Sequence, residues 1–417
     1  MLKSFTREEK CWIFYDWANS AFSAIVAAII LPLFFKEIAR SGGLSDVNAT
    51  AYWGYATSFG TFICALLAPF LGTLGDFNGL KKKLFTAFML LGVVSTFLLA
   101  TTNSWKWLLA FYILGTLGFS ASCVYYDGFL PDVTTEERMD RVSTTGYGLG
   151  YIGGSTIPLV ISLLLIQFGD RIGISTLEAT KFSFVLTAVW WIVFTIPMLR
   201  HVHQKHGIAP EKRIISQTMR NIARTGRKIL SHKSVFFFLI AYFFYIDGVG
   251  TIIHMATVFG DSCGLGSMDM MVILLVVQIV AFPFAILYGK LAGRFGAHRM
   301  ILVGIFTYVI VCLVGYNLQK MSDFLMLAVL VGTAQGGIQA LSRSFFGKII
   351  PAEYSGEFFG FFDVFGKFSA VIGPTLFGIV AQLTGVTHFG VLAVMAMFIL
   401  GGAIMVFLVP QKVEKVQ

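Results

Sequence analysis

The run Gly72-Thr73-Leu74-Gly75-Asp76-Phe77-Asn78-Gly79-Leu80-Lys81-Lys82-Lys83 stands where a long apolar stretch ends in three lysines. A glycine four residues before an aspartate lets two helices approach closely, and Gly79 permits a tight turn that a bulkier residue resists. Lysines at the end of such a turn mark one side of a membrane. The same frame returns half a chain later as Gly289-Lys290-Leu291-Ala292-Gly293-Arg294-Phe295-Gly296-Ala297-His298-Arg299. A frame used twice at that separation implies two similar halves.

Composition points the same way. Of 417 residues, 56% are hydrophobic and 13% charged, where soluble domains carry roughly 25% charged residues. A chain with so little polar surface is expected to be an all-α integral membrane protein. The net charge of +9 lies between apolar runs, so it reads as membrane topology and not as a nucleic-acid surface. The five cysteines, Cys11, Cys64, Cys123, Cys263 and Cys312, show neither a pairing framework nor metal spacing. Met1 to Lys10 carries both charge signs ahead of a full-length apolar run, so no cleavable leader is expected.

Runs long enough to cross a bilayer, roughly 20 residues, fall near Trp12 to Phe35, Tyr52 to Leu74, Leu84 to Thr101, Trp105 to Tyr126, Val142 to Phe168 and Phe182 to Leu199. A second set follows near Val235 to Phe259, Met268 to Leu291, Met300 to Leu318, Phe324 to Phe346, Phe358 to Leu383 and Phe389 to Val409. With both termini in the cytoplasm, only Lys36, Arg40, Lys106, Arg171, Lys181 and Lys320 fall outside, and Lys367 lies within a span. The positive-inside rule therefore predicts cytoplasmic termini, and the expected location is the plasma (inner) membrane if the source is bacterial. Residues 1–199 and 234–417 form the two expected six-helix bundles. The segment 200–233 joins them, rich in Lys and Arg against the single acid Glu211. Within it Ile215, Met219, Ile222 and Ile229 recur at near-helical spacing among Arg220, Arg224, Arg227 and Lys228, which predicts an amphipathic helix on an anionic leaflet.

Further echoes support duplication. Leu130-Pro131-Asp132 and Ile350-Pro351-Ala352 each precede a polar turn and a glycine-rich span, and Phe14-Tyr15-Asp16 answers Phe244-Tyr245-Ile246-Asp247. Parallel halves joined by a basic linker are the layout of a two-bundle transporter. The turn at Gly72, Asp76, Gly79, Lys81 and Lys82 resembles the signature of the major facilitator superfamily, and Gly289, Arg294, Gly296 and Arg299 resemble its second-half version. Within that superfamily, Tyr15-Asp16-Trp17-Ala18-Asn19-Ser20-Ala21-Phe22, Phe129-Leu130-Pro131-Asp132 and Asp247-Gly248 together resemble the vacuole effluxer family, whose autophagy-related fungal members release amino acids from the vacuole. The resemblance implies the two-bundle major facilitator fold. It also implies that Asp76 clamps the eleventh helix when the cytoplasmic side is closed.

An aspartate inside a membrane helix costs about 2.5 to 3.5 kcal/mol on insertion scales, so it usually faces a cavity or a partner. Asp16, Asn19, Ser20 and Ser23 follow helical spacing and form a polar stripe beside Tyr15. The stripe reads as substrate or coupling surface, with a helix-end cap as the alternative. Asp247, next to Tyr245, lies roughly 18 Å along its helix from Val235, which is mid-membrane. It is a candidate proton carrier, with His254 two turns on along the same face. Gln278, Gln335 and Gln339 offer donors and acceptors suited to the ends of a zwitterion, with interhelical hydrogen bonding as the alternative. Tyr147 and Tyr151 are weaker candidates at packing spacing. Asp363 and Lys367, spaced i, i+4, neutralise each other. They join Asp127, Arg343 and the residues of both turns as candidate gating groups.

Motifs for covalent chemistry are missing from the sequence: there is no Gly-x-x-x-x-Gly-Lys-Ser/Thr, no His-Glu-x-x-His and no Cys-x-x-Cys. The expected function is therefore not that of an enzyme. It is a secondary transporter for a small organic solute, an amino acid above other classes, with no cofactor or metal. Membrane lipids and the substrate are the expected partners, protons are a candidate coupling ion, and a monomer is expected. A membrane sensor signalling through the linker and a lipid translocase on the same fold are the alternatives.

Overall fold

The computed structural model describes residues 2–210, 214–262, 267–316, 321–386 and 388–411. Glu211, Cys263, Lys320 and the side chain of His254 lie outside the described residues. Twelve helices are long and apolar enough to cross a membrane. The first six are Arg7–Ser41, Asp46–Asp76, Lys81–Leu99, Trp105–Gly128, Glu136–Ile172 and Thr176–His201. The seventh to twelfth are Lys233–Ser262, Ser267–Phe295, Ala297–Tyr316, Met321–Ile349, Ser355–Thr384 and His388–Phe407. The chain is a multi-pass integral membrane protein.

Most helices outrun the apolar windows that announced them, because an apolar window stops at the first charge while a helix continues to its cap. Thr6 and Glu9 form a capping box ahead of the first span, Ser45 caps the second, and Ser175 with Glu178 caps the sixth. Two spans also change pitch midway. Phe22–Ile29 in the first and Gly150–Thr156 in the fifth are π-helical, and the two segments pack on each other. Gly153 and Gly154 let the fifth span sit directly on the first: a Cβ at Gly153 would lie 2.1 Å from the Trp17 ring.

Buried apolar side chains gather into two clusters, one built from Phe5 to Val202 and the other from Ile229 to Val409. The halves meet where the second span packs on the eleventh and where the fifth packs on the eighth and tenth. Each repeated glycine frame opens at such a meeting. A Cβ on Gly72 would lie 2.1 Å from the Gly356 carbonyl oxygen, and one on Gly289 would lie 2.0 Å from Thr144 Oγ1. Gly79 and Gly296 turn the chain with φ of 78° and 89°, the left-handed region that glycine adopts freely.

Tyrosines repeat the duplication in hydrogen bonds. Tyr15 on the first span donates to Ser122 on the fourth at 2.8 Å, and Tyr245 on the seventh meets Ser342 on the tenth at 2.7 Å.

The linker contains a helix, Ile214–Ser231, that packs on the second, seventh and eleventh spans. Ahead of it, residues 204–208 brace the first-half turn, which the sequence did not foretell. Gln204 Oε1 accepts from the Gly79 amide at 3.0 Å, Asn78 N donates to Ile208 O at 3.0 Å, and Ile208 N donates to Asp76 O at 2.8 Å.

The third and fourth spans press backbone to backbone, with a Cβ at Gly118 falling 2.3 Å from Gly92 N. Gly118→Val is expected to destabilise the protein by about 1–3 kcal/mol, read as a lower melting temperature in detergent. An unchanged melting temperature would show that these helices do not touch.

Candidate functional site: a closed end and a cavity

At the end that carries both termini, polar groups tie the two halves together. Asp76 ends the second span fully buried, and its two oxygens accept from the amides of Gly356 at 2.7 Å and Glu357 at 2.8 Å. Those amides open the eleventh span, where unpaired N–H groups and the helix dipole favour an anion.

Lys81 is expected from the sequence to mark the membrane face, yet it is fully buried. Its Nζ donates to Asp132 Oδ2, to Gly128 O and to Ser355 Oγ, each at 3.0 Å. All three ammonium protons therefore have acceptors, which is how a lysine can be held away from water. Asp132 also accepts from the amides of Lys205 and His206 at 3.0 and 2.8 Å, so the same carboxylate holds the linker. On the fifth span, Asp140 accepts from Ser344 Oγ at 2.7 Å and Lys348 Nζ at 2.5 Å, both from the tenth.

Arg343, on the tenth span, is 3% exposed and forms the centre of the closed end. Nη2 donates to Asp16 Oδ2 at 3.0 Å, Nη1 to Asp127 Oδ1 at 3.1 Å, and Nε to Ser143 Oγ at 2.9 Å. The guanidinium stacks among three rings, its Cζ 4.7 Å from Trp12, 5.2 Å from Tyr126 and 4.5 Å from Tyr147. A planar fork with five donors can serve two carboxylates and a hydroxyl at once while lying on aromatic faces; an ammonium cannot. One residue of the second half thus binds the first, fourth and fifth spans of the other.

Beyond this latch a cavity of about 400 Å³ opens towards the opposite end, walled by both halves. The first span contributes Ser23, Ala24 and Ala27 from its π segment, and the fifth contributes Tyr151 and Ser155 from the other π segment. The second half supplies Thr251, Gln278 and Gln335 amid many aliphatic side chains. Among the described lining residues there is no Asp, Glu, Lys, Arg or His. Tyr151 Oη donates to Gln339 Oε1 at 3.1 Å, one turn from both Arg343 and Gln335. Arg343, Gln339 and Gln335 therefore form an i, i+4, i+8 row that runs from latch to cavity.

Of the substrate and coupling candidates with described side chains, Gln278 and Gln335 line the cavity. Tyr15, Asp16, Asn19, Tyr245, Asp247 and Gln339 lie off its wall. Asn19 Nδ2 contacts Cys123 Sγ at 3.7 Å, and Asp16 faces Arg343. Asp247 is fully buried, with Oδ1 accepting from Gly373 N at 2.9 Å and Oδ2 without a hydrogen-bond partner among the described residues. Thr251 sits beside that carboxylate and also lines the cavity.

Among the gating candidates, Lys367 pairs with Asp363 one turn away, half-buried, and neither is bonded to Arg343. In the second-half turn, Arg294 lies over Phe295, Arg299 donates to Gln411 at 3.2 Å, and both are exposed; Lys82 is half-buried. Ser143, Asp140, Lys348, Ser355 and the rings of Trp12 and Tyr126 carried no functional signal in the sequence, and Tyr147 carried only a weak one. Asp132 appeared only within its Leu-Pro-Asp motif.

Arg343→Gln leaves Asp16 and Asp127 buried without a counter-charge, a loss of about 3–5 kcal/mol for a broken buried pair. The closed end should loosen. Cys123, beside the latch, should then react faster with a membrane-impermeant maleimide in a background where the other cysteines are serine. Equal rates in both proteins would remove Arg343 from the latch.

Comparison with known proteins places this architecture. The family described as "Vacuole effluxer Atg22 like" matches residues 6–417. An uncharacterized MFS-type transporter of Bacillus subtilis, YxiO, is 48% identical over 99% of this chain and 97% of its own length. Autophagy-related protein 22-1 of Emericella nidulans is 20% identical over 91% of this chain and 85% of its own. Among solved structures, the human organic anion transporter MFSD10 superposes with a TM-score of 0.76 at 13% identity, covering 96% of this chain and 99% of that one. The proton:xylose symporter XylE superposes with a TM-score of 0.72 at 12% identity, covering 98% and 97%. These two share the fold. With residues 6–417 matched by the family and nearly half its residues shared with the Bacillus protein, the chain belongs to the vacuole effluxer Atg22-like family and is an MFS-type transporter.

Proposed function

We propose that the protein moves a small organic solute, an amino acid with an apolar side chain, by alternating access between its two halves. The observation that carries this is the cavity walled by both halves and closed at one end by polar ties between them. Rocking one bundle against the other would break those ties and reopen the same space to the opposite side. With the termini in the cytoplasm, as the basic loops suggest, the closed end is the cytoplasmic one and the cavity faces outwards.

The lining supports the substrate class. Aliphatic walls suit an apolar side chain, and the amides of Gln278 and Gln335 with the Thr251 hydroxyl can pair with the polar end. A net charge on the side chain would find no counter-charge among the described lining residues. The family's description as a vacuole effluxer supports the transport of a solute, and amino acids are the class that the sequence resemblance implies.

For energy, Asp247 is the proposed proton carrier. It sits behind Thr251 at the cavity wall, and no basic side chain is bonded to it among the described residues. Protonation removes the charge that makes its burial costly. It is the alternative to the solute's own gradient as the source of drive.

Reconstitution in liposomes tests both parts. The wild type should take up a radiolabelled apolar amino acid, and Gln335→Leu should raise the half-saturating concentration about tenfold, the worth of one hydrogen bond. Asp247→Asn should keep solute exchange but lose accumulation driven by a pH gradient. Absence of flux for every amino acid would refute the substrate class; a pH-independent wild type with a fully active Asp247→Asn would refute the proton.

A further inference from the structure

The linker helix Ile214–Ser231 presents three faces, where an ordinary amphipathic helix presents two. Gln217, Thr218, Asn221, Thr225 and Ile229 are buried against the bundle. Around the helix from them, Ile215, Met219 and Leu230 form an apolar strip, 69%, 56% and 67% exposed. A third strip carries Arg220, Arg224 and Arg227, also exposed. The polar residues that a two-sided reading would give to solvent are the ones packed inward, and the large apolar ones are left outside.

That arrangement has a physical meaning at one location. The helix lies at the end of the bundle that holds the termini, against the ends of the second, seventh and eleventh spans. There, a strip of Ile, Met and Leu can enter the boundary between headgroups and acyl chains while the neighbouring arginines meet the headgroup phosphates. Apolar burial alone would favour any bilayer; the arginine strip adds attraction to a negatively charged one.

We propose that this helix docks on the anionic lipid surface of the leaflet at the closed end, with Ile215, Met219 and Leu230 inserted and Arg224 and Arg227 on the headgroups. Docking here follows from charge complementarity and from the exposed apolar strip, and it does not depend on which solute is carried. Each arginine near such a surface is worth about fivefold in partitioning, so removing both weakens docking about thirtyfold.

The test uses the full-length protein, with its native cysteines replaced by serine and an environment-sensitive fluorophore on Met219→Cys. It is reconstituted in phosphatidylcholine vesicles with or without phosphatidylglycerol. With phosphatidylglycerol, the label should be blue-shifted and shielded from the neutral quencher acrylamide; in phosphatidylcholine alone, much less so. Arg224→Gln with Arg227→Gln should abolish the difference, and an unchanged melting temperature in detergent would show that this variant is folded. A label that stays quenched in both vesicles overturns docking. Equal shielding in both, or shielding that survives the double substitution, overturns recognition of anionic lipid. Quenching in both that is relieved only by adding soluble cytosolic protein overturns the lipid in favour of a protein partner.

Discussion

The closed end depends on how a buried guanidinium is neutralised. A charge held out of water within a membrane protein is tolerated only where its counter-charges and hydrogen bonds are complete. Arg343 meets that demand with groups it does not own. Its carboxylates come from the first and fourth spans, its hydroxyl from the fifth, and its stacking surfaces from the same three. Parting the halves would remove every one of these partners together, and water would have to replace them. The latch is therefore strong only as a complete set, which favours two well-defined states over a continuum.

Lys81 and Asp76 follow the same logic with different chemistry. Lys81 uses a lysine's three donors on a carboxylate, a carbonyl and a hydroxyl, and Asp76 uses backbone amides that a helix start leaves unpaired. These contacts lie at one end, whereas the cavity is walled by neutral amides, hydroxyls and hydrocarbon. Charged groups tie the two halves at one end and uncharged groups wall the cavity, so the two regions can be altered separately. The row Arg343, Gln339, Gln335 joins them along a single rigid helix, so a shift of that span at the cavity is also a shift at the latch.

Much of this was legible in the sequence. Apolar runs gave the twelve spans, since a bilayer permits few other ways to satisfy a backbone. The repeated glycine frames and the Tyr-Asp echoes gave two related halves. Asp127 and Arg343 stood out by their place near the ends of the fourth and tenth spans, close to the glycine turns, and the structure pairs them with each other. What sequence could not supply was pairing. Asp16 meets an arginine 327 positions away, and Asp140 meets a lysine 208 positions away. Neither partner shares a helix face with its carboxylate, so no spacing rule reaches it. Lys81 looked like a solvated topology signal because two more lysines follow it, and its burial comes from a fold that brings the fourth and eleventh spans over it. The linker helix showed its apolar repeat plainly, but which face packs inward was settled by Asn221 and Thr225, residues that carry no hydrophobic signal.

The change of pitch in the first span has a geometric consequence. A π-helical stretch carries about one more residue than an α-helix over the same rise, so the part beyond Ile29 is turned by roughly 100° from where an unbroken helix would place it. Leu31, Phe34 and Phe35, beyond the offset, are buried. The polar stripe through Asp16, Asn19 and Ser20 consequently does not continue past Ser23 as a straight line. The span behaves as two helices that share a backbone but not a phase: one carries Asp16 to the latch and the other packs on the second and fourth spans. The cavity wall is made at the seam.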